Sequence, residues 1–226
     1  MSTFIISPHY DDAAVNCYSI LNDKSISIVT VFGGVPPAGS VSLWDAICGT
    51  ANSRSMMKQR ISENQHAFSR FNVKLTDLDF LDNQYRKTDL NDLDIADRLG
   101  HLMPENTTVY APLALSRLFR HPDHVLVRDA AMKLRHNRRL IFYPDMPYMR
   151  PTAKPDITAN KIANLAFDSL GIRLKPRIIR LTPEDITQKA KLIKSYTTQY
   201  FMTNLVSLGG LGRASRIGYE LFFSLD

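Results

Sequence analysis

Short runs of apolar and β-branched residues recur along the chain, separated by turn residues or by amphipathic stretches. The first two runs lie at 3–6 and 25–32, and the segment between them has helix-like apolar spacing. This pattern predicts a β-α-β opening with parallel strands and a right-handed crossover. A helix is predicted over much of 51–70, and four further strands are predicted at 76–81, 107–113, 139–145 and 177–182.

The last long helix has a recognisable start in the sequence. Thr182, Pro183 and Asp185 occupy the positions of a capping box with proline in the first turn. An apolar stripe continues the predicted helix as far as Phe201. The glycine-rich segment 207–218 follows this helix rather than a strand, so it predicts a flexible loop and not a dinucleotide-binding turn.

The length and composition fit one globular domain. The chain has 226 residues, of which 44% are hydrophobic and 22% are charged. It is therefore long enough for one well-buried domain and short for two. We expect a single Rossmann-like α/β domain over residues 1–226, with a mostly parallel sheet and helices on both faces.

Hydropathy and cysteine content bear on location. No stretch approaches the ~18 consecutive apolar residues that a membrane helix requires. The first apolar run is not preceded by Lys or Arg, as it would be in a secretory signal. Two cysteines are too few for a disulfide framework. These features predict a cytoplasmic protein without a membrane partner.

The chain carries a formal net charge of +6, which raises the question of a polyanionic partner. Its densest basic run, 133–139, lies where a helix is predicted to end. Cations at that place complement the helix dipole. Because the chain also contains no nucleic-acid-binding motif, no nucleic-acid partner is expected.

Ionisable residues cluster directly after the first predicted strand. The stretch "SPHYDD" places His9, Asp11 and Asp12 at the strand's carboxyl end, where open parallel sheets bind ligands. An aspartate here could simply cap the following helix. A histidine has no such role, so the cluster favours chemistry over capping.

A second cluster follows the strand predicted at 107–113. The stretch "RHPDH" places His121, Asp123 and His124 just before a helical pattern. His9, Asp12 and His124 together make a set of two histidines and one carboxylate, which suits zinc with one open position. The other three members of the two clusters are then left for catalysis, and these are Asp11, His121 and Asp123.

These motifs resemble those of a known family. "SPHYDDA" resembles the His-Pro-Asp-Asp-Glu/Ala signature of the PIG-L/LmbE family of zinc-dependent N-deacetylases, and "HPDH" resembles its His-x-Asp-His motif. "VTVFGG", "KQRISENQHAFSRF" and "VYAPLAL" are similar to other segments of the family. Tyr10 departs from the Pro or Leu of many members, but it does not occupy a ligand position.

The resemblance implies a role for each motif residue. It implies one zinc ion per chain, with His9, Asp12 and His124 as the ligands. Asp11 becomes the general base that takes a proton from water. His121 stabilises the oxyanion and protonates the departing amine, while Asp123 orients His121 and favours its charged form. These last two residues complete the list of catalytic groups: Asp11, His121 and Asp123.

The implied reaction is hydrolysis of an N-acyl group, releasing acetate and a free amine from a small N-acylated molecule. Usual substrates of the family are N-acetylglucosamine conjugates or sugar-bearing natural products. Arg60 and Tyr148 are candidate substrate-binding residues. For Arg60 the alternative is a surface ion pair with Glu63, and for Tyr148 it is simple packing. Trp44, within the loop 33–50, is expected in a lid or in the core.

Two other function classes stay open at this point. A metal-dependent phosphoesterase also uses His/Asp clusters, but it usually needs two metal ions ~3.5–4 Å apart, and ligands for only one ion can be assembled. A non-catalytic nucleic-acid or partner-binding module is suggested by the positive charge alone. It would leave the six clustered residues unexplained. The sequence leaves the oligomeric state open, and a homo-oligomer is one alternative.

Overall fold

The computed structural model describes residues 2–23, 25–115, 121–146, 148–149, 152–206 and 210–226. Its strands are β1 (Thr3–Ser7), β2 (Ile26–Thr30), β3 (Val73–Asp77), β4 (Thr108–Pro112), β5 (Arg139–Tyr143), β6 (Leu174–Arg180) and β7 (Tyr219–Leu225). Its helices are α1 (Asp12–Asn16), α2 (Leu43–Ile47), α3 (Ser53–Phe68), α4 (Asp92–Leu102), α5 (Pro122–Lys133), α6 (Pro155–Leu170), α7 (Pro183–Lys194), α8 (Thr197–Val206) and α9 (Ala214–Ile217).

The seven strands form one sheet in the order β3-β2-β1-β4-β5-β7-β6. Strands β1 to β5 pair in parallel, and β7 pairs antiparallel with both β5 and β6. Ile5 of β1 lies opposite Ile28 of β2 on one side and Tyr110 of β4 on the other. The strand order reverses between β1 and β4, and ligands of open α/β sheets bind at such a point. The predicted fold class is confirmed.

Alternating side chains of the strands build a core on each face of the sheet. Phe4 and Ile6 of β1 join one buried cluster with residues of α4, α5 and α6. Ile5 points the other way and joins a second cluster with residues of α1, α3 and α7. The period of two along each strand therefore distributes the helices over both faces.

Two strand predictions fail for identifiable reasons. The third strand is Val73–Asp77 rather than 76–81, because Leu78 is buried in the core beyond the strand's end and extends the apolar run. Strand β7 is not predicted at all. It completes the sheet by antiparallel pairing with β5 and β6, which connects segments far apart in the sequence.

The helix that begins at Thr182 has the predicted capping box and proline start. It ends at Lys194, however, and α8 forms a separate helix that contains Phe201. Phe201 is 73% exposed, so it does not continue the apolar stripe. The side chain of Glu63 accepts hydrogen bonds from the N–H of Thr198 and the hydroxyls of Thr197 and Thr198, which fixes the start of α8.

The tail predicted as a loop at 207–218 contains more structure than expected. Residues 207–209 lie outside the described part of the chain, but a single 3-10 turn at Gly210–Gly212 and helix α9 follow them. Leu211 and Ile217 are buried in a small cluster with Val15 and Ile193. The described part of this tail is therefore packed against the domain.

The basic run at 133–139 begins with Lys133 in the last turn of α5, as its position predicts, but Arg138 contacts the end of a different helix, α4. The Arg138 guanidinium donates to the carbonyls of Gly100 and Met103 at the end of α4, each at 3.1 Å. Lys133 lies 3.3 Å from Asp92. Across the described ranges, none of the helices has both the length and the apolar character to cross a membrane.

Candidate metal-binding active site

The two predicted clusters meet at the point where the strand order reverses. His9 and Asp12 follow β1, and His121 and His124 follow β4, which pairs with β1. Because both strands are parallel, their carboxyl ends lie at the same edge of the sheet. Residues that are 115 positions apart in the chain are thereby brought into contact.

Three donor atoms from these loops form a compact triangle. Nδ1 of His9 lies 3.1 Å from Nε2 of His124 and 3.6 Å from Oδ2 of Asp12, and the last two atoms are 3.5 Å apart. Ligand atoms bound at 2.0–2.1 Å to a tetrahedral zinc ion lie roughly 3.3 Å from one another. The geometry and donor types of the triangle therefore fit a zinc-like cation with room for a fourth ligand.

The pKa shifts of the metal-free triangle favour a protonated His9 beside an ionised Asp12. Burial lowers the pKa of His9, but the carboxylates of Asp12 and Asp123 outweigh it and leave that pKa well above its ordinary value. Burial raises the pKa of Asp12, but His124 and His9 outweigh it and leave that pKa lowered. A metal ion entering here must therefore displace a proton, and its affinity should increase with pH.

Each of the two histidines has a carboxylate at its other ring nitrogen. Nδ1 of His124 lies 2.7 Å from Oδ1 of Asp145, which is buried just after β5. Nε2 of His9 lies 3.2 Å from Oδ2 of Asp123. Carboxylates in this position orient metal-binding histidines and increase their basicity.

The sequence predicts that Asp123 orients His121. In the structure its carboxylate faces His9 instead. Its Oδ2 also accepts from the N–H of Asn83 at 2.9 Å, and its Oδ1 lies 2.6 Å from Nη2 of Arg86. The link between Asp123 and His121 is instead through the backbone, since the N–H of Asp123 donates to Nδ1 of His121 at 3.3 Å. His121 is the N-cap of α5, so it also has the capping role that the sequence reasoning did not foresee.

His121 lies beside the triangle in a neutral form. Its ring centroid is 4.8 Å from that of His9 and 5.0 Å from that of His124. Burial, with the nearby His9 and His124, lowers the pKa of His121 far below its ordinary value, although Asp123 acts in the opposite direction. Since Nδ1 accepts the hydrogen bond of the α5 cap, Nε2 is the nitrogen that carries the proton.

Asp11 is placed for chemistry rather than for capping. It is the N-cap residue of α1, yet no cap hydrogen bond from its side chain is found within the described chain. Its carboxylate instead lines the cavity over the triangle. Burial and the neighbouring Asp12 raise its pKa from 3.8 to about 6, close to the range suited to a general base near neutral pH.

A cavity of about 370 Å³ opens over the triangle. The residues that line it come from several elements. They are His9, Asp11, Asp12, Trp44, Arg60, Asp82, Asn83, Gln84, His121, Pro122, Tyr148, Gln199 and Thr203. Both predicted substrate-binding residues are in this set. Tyr148 lies with its ring 6.0 Å from that of His121 and 5.3 Å from that of His124.

Arg60 is buried and does not form the surface pair considered as its alternative. Its Nη2 binds Oδ1 of Asp45 at 2.9 Å, and the hydroxyl of Tyr85 donates to the other oxygen of Asp45 at 2.7 Å. Glu63 caps α8 instead of pairing with Arg60. Trp44, in the short helix α2, is half-buried at the cavity wall, as a lid residue would be.

Other donor sets exist around His9 but fit a cation less well. His9, His121 and His124 form one group, and His9, Asp82 and Asp123 form another, with ligand atoms within 4.8 Å in each. His121 is engaged by the α5 cap. Asp123 already has the Arg86 cation 2.6 Å away, which opposes a metal ion there.

Asp82, Asp145 and Arg86 are site residues that the sequence reasoning missed. Asp82 and Arg86 lie in the loop after β3, and Asp145 follows β5 within the "YPDMPY" segment. Asp145 is the last residue of the strand predicted at 139–145, and this strand-end position is its signal in the sequence. The other two have no motif around them.

Comparison with known proteins gives a family match and several similar folds. The family model described as PIG-L: GlcNAc-PI de-N-acetylase matches residues 4–135, which is more than half of the chain. A 2'-N-acetylparomamine deacetylase from Niallia circulans is 25% identical over an alignment of 181 residues that covers 63% of this chain. That match spans 66% of the relative, just under two thirds of its length.

Two solved structures are similar over the whole chain. The zinc-inhibited form of teicoplanin deacetylase has a TM-score of 0.72 and 23% identity, covering 100% of this chain and 98% of its own. An inhibitor complex of N,N'-diacetylchitobiose deacetylase from Pyrococcus horikoshii has a TM-score of 0.57 and 15% identity, covering 100% of this chain and 83% of its own. At these identities the likeness establishes the shared fold.

Proposed function

The chain belongs to the PIG-L family, described as GlcNAc-PI de-N-acetylases, and on that premise we propose that it hydrolyses an N-acyl group of an amino sugar or a sugar-containing natural product. The acyl group we propose is acetyl. The observation that carries the proposal is the donor triangle of His9, Asp12 and His124 below a cavity that Asp11 also lines. Metal ligands and a carboxylate base beside one cavity are what hydrolysis of an amide requires.

We propose zinc as the metal, one ion per chain, held by His9, Asp12 and His124. Two imidazole nitrogens and one carboxylate oxygen are ligands that zinc accepts in catalytic sites with an open position. When bound, such a cation lowers the pKa of water and polarises a carbonyl oxygen. Because a solved relative is described as a zinc-inhibited form, the metal should be tested from substoichiometric amounts upward.

Asp11 is the general base in this proposal. Its carboxylate takes a proton from the attacking water as the new carbon–oxygen bond forms. A pKa near 6 leaves it largely ionised at neutral pH, and once protonated it is acidic enough to pass that proton to nitrogen as the carbon–nitrogen bond breaks. The second water proton stays on the new carboxyl group, so the step gives a carboxylic acid and a neutral amine, which at neutral pH become a carboxylate and an ammonium ion.

His121 acts as a hydrogen-bond donor to the developing oxyanion. Its lowered pKa keeps the ring neutral, and its Nε2–H is left for the substrate because Nδ1 accepts from the α5 backbone. Donors held in place at an oxyanion typically contribute ~10²–10³ in kcat. This role replaces the protonated acid expected from the sequence, since Asp123 faces His9 instead.

The cavity and the relatives support a sugar substrate. Its wall combines aromatic Trp44 and Tyr148 with polar Asp82, Asn83 and Gln84, a mixture suited to the apolar faces and hydroxyl groups of sugar rings. The three relatives are named as deacetylases of 2'-N-acetylparomamine, teicoplanin and N,N'-diacetylchitobiose. We propose that Arg60 and Tyr148 bind the part of the substrate next to the acyl group.

The two rival functions find less support. A phosphoesterase would need a second metal ion, and the second donor group around His9 includes Asp123, which Arg86 neutralises. A nucleic-acid module would need an open basic surface, whereas Arg138 in the densest basic run binds carbonyls at the end of α4. We therefore propose a small-molecule substrate and no nucleic-acid partner.

Acetate release from a panel of N-acetylated amino sugars and aminoglycosides tests the function. The purified chain should be assayed with zinc, cobalt, iron or manganese, each raised from below one equivalent. The Asp11→Asn variant serves as the control for contaminating activity. Release of phosphate from phosphoesters, with every N-acetyl amine left intact, would overturn the proposal.

Three further expectations stand as proposals. We propose a cytoplasmic location, a single domain over residues 1–226, and action without a membrane partner. The oligomeric state is open between a monomer and a homo-oligomer. Sedimentation of the metal-loaded protein would determine it.

A further inference from the structure

We propose that Asp123 and Asp145 are a matched pair of positioning residues, each holding one ligand histidine so that an unprotonated ring nitrogen faces the metal. The inference rests on the proposed metal site and adds to it. Asp123 acts on His9, and Asp145 acts on His124. Neither residue is a ligand in this arrangement.

On the His9 side, the carboxylate is fixed from two directions. Oδ2 of Asp123 is 3.2 Å from Nε2 of His9 and accepts from the N–H of Asn83 at 2.9 Å. Oδ1 lies 2.6 Å from Nη2 of Arg86. Arg86 is itself held by the carbonyl of Leu81, to which it donates at 2.9 Å. Asp123 is fully buried, so this set of contacts defines its position.

On the His124 side, the backbone helps to fix the position of the carboxylate of Asp145. Oδ1 of Asp145 is 2.7 Å from Nδ1 of His124. Asp145 has a φ of 61°, in the left-handed region that is costly for a residue other than glycine. The next residue, Met146, exchanges hydrogen bonds with Asn16, whose side-chain amide also donates to the carbonyl of Asp12 at 2.9 Å. Asn16 thus ties the Asp145 turn to the helix that carries a proposed ligand.

The two contacts together determine the tautomers. A carboxylate accepts hydrogen bonds only, so each histidine donates from the nitrogen that faces its aspartate. Nδ1 of His9 and Nε2 of His124 are then both left with lone pairs, and they face each other at 3.1 Å. Two lone pairs at that distance repel unless a proton or a metal ion lies beside them. The pair of aspartates therefore prepares a cation site.

The main alternative is that Asp123 belongs to a second cation site with Asp82 and His9. Oδ2 of Asp82 lies 3.6 Å from Nε2 of His9, and the three residues are close enough to share an ion. Both oxygens of Asp82, however, accept from Gln84 at 3.0 Å. Arg86 already supplies a positive charge to Asp123, so a second cation among Asp82, Asp123 and His9 is disfavoured.

Metal affinity is the test, measured by competition with a chromogenic chelator and by the absorption spectrum of the cobalt-loaded protein. Asp123→Asn and Asp145→Asn should each weaken zinc binding by ~10–100-fold, as expected for partners of ligand histidines. The cobalt bands should shift in both variants. Because the two act on histidines that would bind the same ion, their effects are coupled, and the double variant should bind zinc more weakly than either single variant.

Asp82→Asn is the matched control. It removes the same charge 3.6 Å from the same nitrogen of His9, so an electrostatic effect alone would lower affinity equally in Asp82→Asn and Asp123→Asn. We expect a clearly smaller loss in Asp82→Asn than in Asp123→Asn, because both oxygens of Asp82 accept from Gln84 and Asp82 therefore does not fix the orientation of the His9 ring. Melting of the metal-free variants checks that each is folded, and either single variant suffices if the other does not fold.

The outcomes separate this inference from the proposed function. Wild-type protein that binds no metal and releases no acetate would overturn the proposed function and, with it, this inference. Wild-type protein that binds metal, with unchanged affinity and cobalt spectrum in both aspartate variants, would overturn the inference alone. So would two tightly bound ions per chain that fall to one in Asp82→Asn. A loss of kcat with unchanged metal affinity in Asp123→Asn would indicate that Asp123 acts on His121 and not on His9, and would overturn that half of the inference.

Discussion

Nδ1 of His9 and Nε2 of His124 lie 3.1 Å apart, although 115 positions separate the two residues in the chain. The contact exists because β1 and β4 are parallel neighbours whose carboxyl ends meet at one edge of the sheet. Oδ2 of Asp12 completes the triangle with the two nitrogens.

Removing either histidine of the triangle should abolish tight metal binding. His9→Ala and His124→Ala each leave two donors, which cannot hold a divalent cation against a chelator. Elemental analysis after dialysis should give close to one metal ion per wild-type chain and far less in both variants. His101→Ala, at a histidine whose side chain is 78% exposed, is the control. Full occupancy in both triangle variants would contradict the ligand assignment.

Asp11 and Asp12 should respond differently to the same substitution. Asp11→Asn should retain metal and lose ~10²–10⁴-fold in kcat, because a general base is removed and the ligands are intact. Asp12→Asn should weaken metal binding itself. Activity and metal content are measured on the same preparations. If the two variants have equal metal content and equal turnover, the division of roles is wrong.

The ionisation of Asp11 should also affect stability in the metal-free protein. Its pKa is 3.8 in the unfolded chain and about 6 in the folded one, because of burial and Asp12. Between these values the folded state holds the extra proton. The group therefore costs nothing below about pH 3.8, the cost grows between pH 3.8 and 6 while the unfolded chain alone is ionised, and it levels off above pH 6.

We therefore expect Asp11→Asn to be more stable than wild type at pH 7.5, by at most about 3 kcal/mol and by less where solvent screens the charge. The difference should disappear below about pH 4, where both side chains are neutral. Urea unfolding of the metal-free proteins at several pH values measures it. A constant difference across the whole pH range would show that the effect is not ionisation of Asp11.

His121→Ala should separate amide from ester hydrolysis. The variant keeps the triangle, so its metal content should equal that of wild type. Activity on N-acetyl amines should fall by ~10²–10³-fold through loss of an oxyanion donor. Activated esters have a lower barrier and depend less on stabilisation of the oxyanion, so they should suffer less. An equal decline for both substrates would indicate that His121 only supports the start of α5.

Arg60 should be important for folding as well as for substrate. Nη2 of Arg60 lies 2.9 Å from Oδ1 of the buried Asp45. Arg60→Ala therefore leaves that carboxylate without its cation. Breaking a buried pair from one side typically costs ~3–5 kcal/mol. Denaturant unfolding should show this loss, whereas Arg54→Ala at an exposed position of α3 should change little. A change under ~1 kcal/mol in Arg60→Ala would mean that Asp45 finds another partner.

The sequence determined the parts of this protein that are encoded locally. The β-α-β opening follows from short β-branched apolar runs on either side of a segment with a helical apolar period. His9, Asp11 and Asp12 lie within four positions, and a strand followed directly by a helix places such residues at the end of a sheet. The family resemblance rests on the same short motifs, and the family and the fold class are both confirmed.

Only the tertiary structure decided the features that depend on distant segments. Strand β7 enters the sheet between β5 and β6, and no local pattern indicates which strands a segment will pair with. Arg86 and Asp145 reach the site from two separate loops, each as a single residue without a motif. The partner of Asp123 changed from His121 to His9 for the same reason. Side-chain direction at a helix start is set by which loop packs against it, and that information is not contained in the spacing of residues along the chain.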